Sequence, residues 1–153
     1  MGGYTSGIMN SRVVSEVAHQ SALYWECVAL RLAVLRTPLG LSFTEEELAQ
    51  EQTNIHLACH EDGSLLGCLV LVPLADGLIK MRQVAVSPAA QGRGIGRSLV
   101  DFSEELSRGR GFTRMTLHAR TTAVPFYERL GYETVAEEFE EVTVPHWEMQ
   151  KSL

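Results

Sequence analysis

The apolar residues of this chain change period across a glycine-rich turn, and that change limits the folds open to it. Ile55 to His60 and Leu65 to Leu74 are short apolar runs separated by Asp62-Gly63, a dipeptide suited to the left-handed positions of a β-hairpin turn. Asp76-Gly77 predicts a second turn into a third strand, Ile79 to Val86, so the middle of the chain reads as an antiparallel meander. Beyond Gln91-Gly92-Arg93-Gly94-Ile95-Gly96 the repeat becomes helical. Ile95, Leu99, Phe102 and Leu106 share one face, and Gly109 and Gly111 stop the helix.

The flanks add helices and closing strands. From about Ser21 to Arg36 apolar positions recur at helical spacing, with Thr37-Pro38-Leu39-Gly40 as the stop. Thr44 followed by Glu47 makes a capping box for a second helix to about Gln52. Thr113 to Ala119 reads as a strand and Ala123 to Leu130 as a short helix that tolerates Pro125 in its first turn. Glu133 to Glu141 and His146 to Gln150 read as closing strands. This order predicts an α/β fold of the mixed-sheet (α+β) kind, a central, mostly antiparallel sheet flanked by helices. At 153 residues, with no repeat or linker, a single domain over residues 12–153 is expected after a flexible start at residues 1–11.

Charge and cysteine content exclude several classes. A net charge of −6 argues against a general nucleic-acid surface, which draws on clustered Lys and Arg. Eight of the thirteen basic residues nevertheless lie between Arg82 and Arg129, and Glu133, Glu137, Glu138, Glu140 and Glu141 crowd the next stretch. A local anion site followed by a solvated acidic strand edge is expected. Cys27, Cys59 and Cys68 are odd in number and lack ligand spacing, so neither a disulfide framework nor a metal site is expected. No secretory signal pattern is present, and the longest near-apolar run, Leu65 to Ala75, is too short to span a bilayer. A cytoplasmic protein with no membrane partner is therefore expected. Met1 to Ser6 fits the loose N-myristoylation pattern without a polybasic companion and is read as a flexible start.

The glycine-rich turn carries the most chemistry. Alternating glycines let the backbone approach a bulky anion at φ values other residues avoid, while the first N–H groups and the dipole of the new helix favour negative charge. Arg93 and Arg97 add full charges, so the segment reads as a pyrophosphate cradle. A P-loop needs a Lys that is missing here, and a dinucleotide fingerprint starting at Gly94 needs glycine where Leu99 stands.

Gln83-Val84-Ala85-Val86-Ser87-Pro88 followed by Gln91 to Gly96 resembles the central motif of the GNAT superfamily of N-acetyltransferases: a strand, then Gln/Arg-x-x-Gly-x-Gly/Ala, then a helix. Ala123-Val124-Pro125-Phe126-Tyr127-Glu128-Arg129-Leu130-Gly131-Tyr132 resembles the second landmark of that family, about 30 residues downstream. The resemblance implies a GNAT-like acyl-CoA N-acyltransferase fold. It also implies transfer of the acetyl group of acetyl-CoA, with no metal, directly to an amine of a small molecule or peptide in a ternary complex. Backbone groups of Val84, Ala85 and Val86 are then expected to pair with the pantetheine arm, and Gln91, Gly92, Arg93, Gly94, Ile95, Gly96 and Arg97 to hold the pyrophosphate. Where many relatives carry a cofactor-contacting Asn this chain has Arg120, which leaves a phosphate contact by Arg120 open. Assembly as a homodimer is open too.

An alkyl amine with a pKa of about 10.4 must lose a proton before it attacks a thioester, and the expelled thiolate, of intrinsic pKa about 8.5, needs a hydrogen-bond or proton donor. Tyr127 matches the general-acid Tyr of the family, whereas Tyr132 matches a packing position. For the base, Lys80 to Gln83 supply no carboxylate; the candidates are His118, His146, Glu26 and Glu47. Two rival readings are a Cys nucleophile at Cys59 or Cys68 and a catalytically silent CoA-binding sensor or interaction module. The apolar setting of Cys68 argues for a packed thiol.

Overall fold

The structure, a computed structural model, describes residues 12–153; the expected flexible start and the myristoylation pattern lie outside the described residues. Two compact units emerge, one of residues 12–70 with 83–102, the other of residues 71–82 with 103–153. The strands belong to a mixed, mostly antiparallel sheet of eight, and helices flank it, as the residue pattern predicts.

The first unit holds β1 (Arg12–Val17), α1 (Ala22–Arg31), α2 (Glu45–Gln50), β2 (Ile55–Glu61), most of β3 (Ser64–Pro73), the end of β4 (Leu78–Val86) and the start of α3 (Ile95–Gly109). Its strand order is β1-β2-β3-β4. Strand β1 was not expected, because Arg-Val-Val-Ser-Glu-Val lacks regular alternation. Its partner supplies what its own pattern does not: it runs antiparallel to β2 from Arg12↔Glu61 to Val17↔His56. The β2–β3 turn uses Asp62 and Gly63 at φ +52 and +79, the left-handed pair predicted for a hairpin.

Helix α1 starts where Ser21 accepts a hydrogen bond from the Tyr24 amide, and it buries Tyr24, Cys27, Val28 and Arg31, one face at helical spacing. It does not continue regularly to Arg36 as expected. Leu32–Arg36 widens into a π turn, Thr37–Leu39 tightens into a 3-10 turn, and Gly40 ends the run at φ +71. Pro38 explains the break, since it cannot supply an interior helix N–H. The Thr44–Glu47 capping box forms as predicted, over a helix that closes at Gln50.

The core of this unit gathers Val17, Tyr24, Cys27, Val28, Ala58, Cys68 and Ala85, with Leu23, Leu30, Phe43 and Leu48 packed against them. Arg31, 1% exposed, lies among these helices and donates from both terminal nitrogens to Glu51, itself 8% exposed. The Tyr24 hydroxyl donates to the same carboxylate at 2.8 Å. Burial by itself would raise the Glu51 pKa, but the hydrogen bonds and charge of Arg31 outweigh it and hold the carboxyl below its ordinary value. Arg31→Ala strands that carboxylate in the core, and we expect it to lower stability by about 3–5 kcal/mol in urea unfolding at pH 7. Because the folded pKa is depressed, the wild-type contribution is complete above the ordinary Glu range and is lost as pH falls through the folded value.

The second unit holds the start of β4, the end of α3, β5 (Arg114–Arg120), α4 (Val124–Arg129), β6 (Glu133–Thr134), β7 (Phe139–Glu141) and β8 (Val144–Ser152), with strand order β4-β5-β8-β6 and β7 on β8. The β4–β5 pair is parallel; the partners of β8 run antiparallel to it. The stretch Glu133 to Glu141 is therefore not one strand. Exposed residues 135–138, with Glu137 and Glu138 adjacent, separate β6 from β7. The closing strand is correspondingly longer than His146 to Gln150. On α3, Ile95 and Leu99 are buried as the apolar pattern requires, but further along the buried positions are Ser103, Glu104 and Ser107. Glu104 is satisfied there by the Tyr132 hydroxyl and the Lys151 ammonium, each at 2.9 Å. Tyr132 thus occupies a packing and hydrogen-bonding position.

Candidate functional site

In the first unit, the glycine-rich turn forms the expected concave backbone. Gly92 and Gly94 lie at φ +81 and +80, so the chain alternates hand around Arg93 and turns successive N–H groups toward one side. Gly96 does not share this role: it lies in the first turn of α3. The free N–H groups of that turn, Ile95 to Arg97, add the positive end of a 15-residue helix. Ile95 is buried and anchors the turn, while Gln91, Gly92, Arg93, Gly94 and Arg97 are exposed. This geometry fits a pyrophosphate.

Two side chains that the sequence pattern did not single out tie the turn down. Arg12 donates to the Arg93 carbonyl at 3.0 Å and to Ser98 Oγ at 3.3 Å, and Glu61 pairs with Arg93. Arg12 and Glu61 are register partners across β1 and β2, so the β1–β2 edge supports the cradle. Arg97 lies near Asp101, one helical turn away, in an exposed pair at 3.7 Å. Such an exposed pair is worth only about 0–1 kcal/mol, so a phosphate can replace the carboxylate at Arg97.

Strand β4 feeds this turn. Its pairing with β5 covers Leu78 to Met81 and ends there. Gln83, two residues on, adopts φ +53, an unusual value for a non-glycine strand residue that costs about 1–2 kcal/mol. Val84, Ala85 and Val86 follow; the Ser87 amide donates to the Leu66 carbonyl at 2.8 Å, and Gln91 Nε2 donates to the Val86 carbonyl at 3.3 Å. Gly67 permits the close approach, since a Cβ there would lie 3.0 Å from the Ala85 carbonyl oxygen and from Ile95 and Leu99 side-chain atoms.

In the second unit, one sheet face is lined with titratable groups. Lys80, Thr116 and His118 share that face on β4 and β5, and register pairs Lys80 with Thr116, His118 with Glu148 and Arg120 with His146. His118 Nδ1 lies 2.9 Å from Glu141 Oε1, which assigns the proton to Nδ1 as donor and leaves Nε2 as the basic nitrogen. His146 Nδ1 donates to the Val144 carbonyl at 2.9 Å, and its Nε2 faces Glu141 Oε2 at 3.8 Å. Glu141 therefore sits between the two rings. Burial would raise its pKa, but the bond from His118 and the charges of His118, His146 and Lys80 lower it on balance. Lys80 is itself lowered by burial and by Arg82.

Glu141 was hidden in the acid-rich stretch, where it counted as one of several solvated carboxylates. Its position comes from the β7–β8 hairpin, whose turn residues Val142 and Thr143 both take left-handed φ, +43 and +66. A β-branched pair in that region is strained, and no glycine signals the turn in the sequence. Glu26 is exposed on α1, and Glu47 is committed to its capping box and to Arg36.

Tyr127 lies on α4, 8% exposed, edge-on to Phe126 and Tyr132 with ring centroids at 5.0 and 5.8 Å. Burial pushes its pKa up to about 12, so the phenol is neutral across the physiological range. The cysteines are buried: the hydrogen bond that the Cys68 thiol donates to Cys27, together with burial, pushes Cys68 up, and burial pushes Cys59 up. Neither has the lowered pKa of a nucleophilic thiol. Among the described residues no group of His, Cys, Asp and Glu is arranged to hold a metal ion, and no helix is long and apolar enough to cross a membrane.

The mixed sheet and the glycine cradle opening a helix define the class of acyl-CoA-dependent acyltransferases. The family model described as an acetyltransferase (GNAT) domain matches residues 39–153, and the chain belongs to that family. Among similar proteins, the uncharacterized protein YyaT of Bacillus subtilis is 29% identical over 118 residues, covering 72% of this chain and 74% of YyaT. Other curated relatives match over only about half of their own length. A crystal structure of a candidate N-acetyltransferase from Lactobacillus plantarum superposes with a TM-score of 0.82 at 29% identity, covering 94% of this chain and 99% of the other. An aminoglycoside 6'-N-acetyltransferase crystallised with coenzyme A shares the fold, with a TM-score of 0.74 at 19% identity over 92% of this chain and 96% of the other. The protein is an acetyl-CoA-dependent acyltransferase.

Proposed function

We propose that this enzyme transfers the acetyl group of acetyl-CoA directly to an amine of a small molecule or peptide in a ternary complex. The observation that carries this reading is the left-handed Gly92 and Gly94 pair opening α3 directly after β4, whose pairing with β5 stops at Met81. In this reading the exposed cradle residues take the pyrophosphate, and the backbone of Val84 to Val86 hydrogen-bonds the amides of pantetheine like an added strand. A backbone N–H at the end of that segment meets the oxyanion.

His118 serves as the base. Glu141 orients its ring and stabilises the imidazolium, while buried His146 keeps Glu141 in place. Nε2 of His118 takes a proton from the acceptor ammonium, the freed nitrogen lone pair attacks the thioester carbon, and a tetrahedral oxyanion forms. The attacking nitrogen, cationic in this adduct, gives up its second proton to solvent, and collapse breaks the C–S bond and expels the thiolate, to which the Tyr127 hydroxyl donates a hydrogen bond. Full proton transfer from a phenol at about 12 to a thiolate near 8.5 is uphill, so Tyr127 stabilises the leaving group rather than protonating it.

The deciding experiment is a screen of amine acceptors with detection of released thiol. Absence of turnover across polyamines, aminoglycosides, amino acids and peptide N-termini, with acetyl-CoA bound, overturns the amine reading. His118→Ala is expected to lower kcat/KM about 10²–10³-fold at pH 7, with a deficit that shrinks as pH approaches the acceptor pKa, about 10.4, where the amine deprotonates unaided. A deficit that stays constant with pH removes His118 as the base.

A further inference from the structure

The buried Arg31–Glu51 pair has no part in the chemistry above, yet one of its donors leaves the ion pair and reaches β4. Arg31 Nε donates to Gln83 Oε1 at 2.7 Å. Gln83 is the residue at φ +53, beyond the last β5 pairing at Met81 and directly before Val84. A left-handed residue inside a strand bends it and redirects the peptide groups that follow, as at a β-bulge.

Arg31 has little freedom of its own. Its terminal nitrogens are both held by Glu51, the Tyr24 hydroxyl closes on the same carboxylate, and the guanidinium carbon lies 4.9 Å from the centroid of Phe43. Helix α1 carries the residue on its buried face. A guanidinium is a rigid planar fork; with its two ends held by Glu51, the direction of Nε–H is set, and it points at Gln83. Lys could pair with Glu51 but has no second, fixed donor. Apolar residues often fill such a volume with no loss of stability, so the pair needs another reason, and direction is the one visible here.

We infer that the Arg31–Glu51 pair is a positioning device for the cofactor-pairing strand: it holds Gln83 left-handed and so aims the N–H and C=O groups of Val84 to Val86. Arg31 and Gln83 are positioning residues, and the inference rests on the acetyl-CoA reading of that strand. Tyr24 and Glu51 set the guanidinium, the guanidinium sets Gln83, and Gln83 sets the backbone. The device is contained in the first unit.

Gln83→Gly tests it with the core pair left intact, since glycine accepts the positive φ and deletes only the acceptor of the Arg31 bond. In the full-length enzyme, the Kd and KM for acetyl-CoA are expected to rise about tenfold with kcat changed less, and the amides of Val84 to Val86 to exchange faster with solvent while β2 amides keep their protection. Gln83→Glu restores an acceptor for Nε and is expected to recover most of the affinity. Unchanged affinity and exchange in Gln83→Gly overturn the inference. Equal losses in both variants with a matching drop in melting temperature overturn it as well, by making Gln83 a residue of general stability. If the wild-type protein fails to bind acetyl-CoA, the cofactor reading itself falls, and the exchange measurement on the free protein still decides whether the clamp exists.

Discussion

Tyr127→Phe is expected to lower kcat about 10²-fold while leaving acetyl-CoA affinity and the fold nearly unchanged. Phe retains the ring that packs edge-on against Phe126 and Tyr132, and only the hydroxyl is lost. In the proposed mechanism the hydroxyl acts late, when sulfur takes up negative charge, so its removal is expected to raise the barrier and to leave the binding of coenzyme A unchanged. Burial raises its pKa from 10.0 to about 12, which adds a second check. The neutral form is favoured in the folded state, so stability drawn from it is intact below pH 10 and declines as pH rises from 10 toward 12. For the same reason a basic limb in kcat below pH 10 does not belong to Tyr127. Single-turnover rates and thermal melts on the variant decide the matter, and an unaltered rate takes Tyr127 out of the mechanism.

Gly94→Glu is expected to weaken acetyl-CoA binding about 100-fold with little change in kcat at saturating cofactor. Space is not the obstacle, because a Cβ at Gly94 would meet only Arg12 Nη1, at 3.6 Å. The cost comes from two other sources. A side chain at φ +80 carries a left-handed penalty of about 1–2 kcal/mol, and a carboxylate beside a pyrophosphate adds about 1 kcal/mol of repulsion per neighbouring charge. The new carboxylate also competes for the Arg12 guanidinium that now braces the turn. Gly94→Ala separates the effects, since it carries the strain without the charge and should cost at most about 5–30-fold. Calorimetric titration distinguishes the variants, and wild-type affinity in Gly94→Glu places the phosphates elsewhere.

The supporting residues differ in how visible they were. The capping box at Thr44, the Asp62-Gly63 hairpin and the glycine cradle are local devices, each written in a few adjacent residues whose conformational preferences point one way. Strand β1 was missed because its residues lack alternation and its pairing is decided by the edge of β2. The acid-rich stretch misled in the opposite sense. Glu133 to Glu141 looked like one solvated strand, yet it breaks at residues 135–138, and its last carboxylate turns to His118 through a hairpin with two left-handed non-glycine residues. No residue-level preference announces a turn at Val142-Thr143.

By itself, then, the sequence determined most of the elements, the mixed-sheet class and the glycine-rich turn that opens α3, because strand alternation, helical spacing and glycine conformations act over a few residues. It also named His118, His146 and Tyr127 as candidates. Tertiary structure alone decided which charged groups meet. Arg12 reaches the cradle across 81 residues, Arg31 reaches Gln83 across 52, and Glu141 reaches His118 across 23. Pairings at such separations depend on strand register and on how burial orients a long side chain, and neither is encoded in the residues that end up touching.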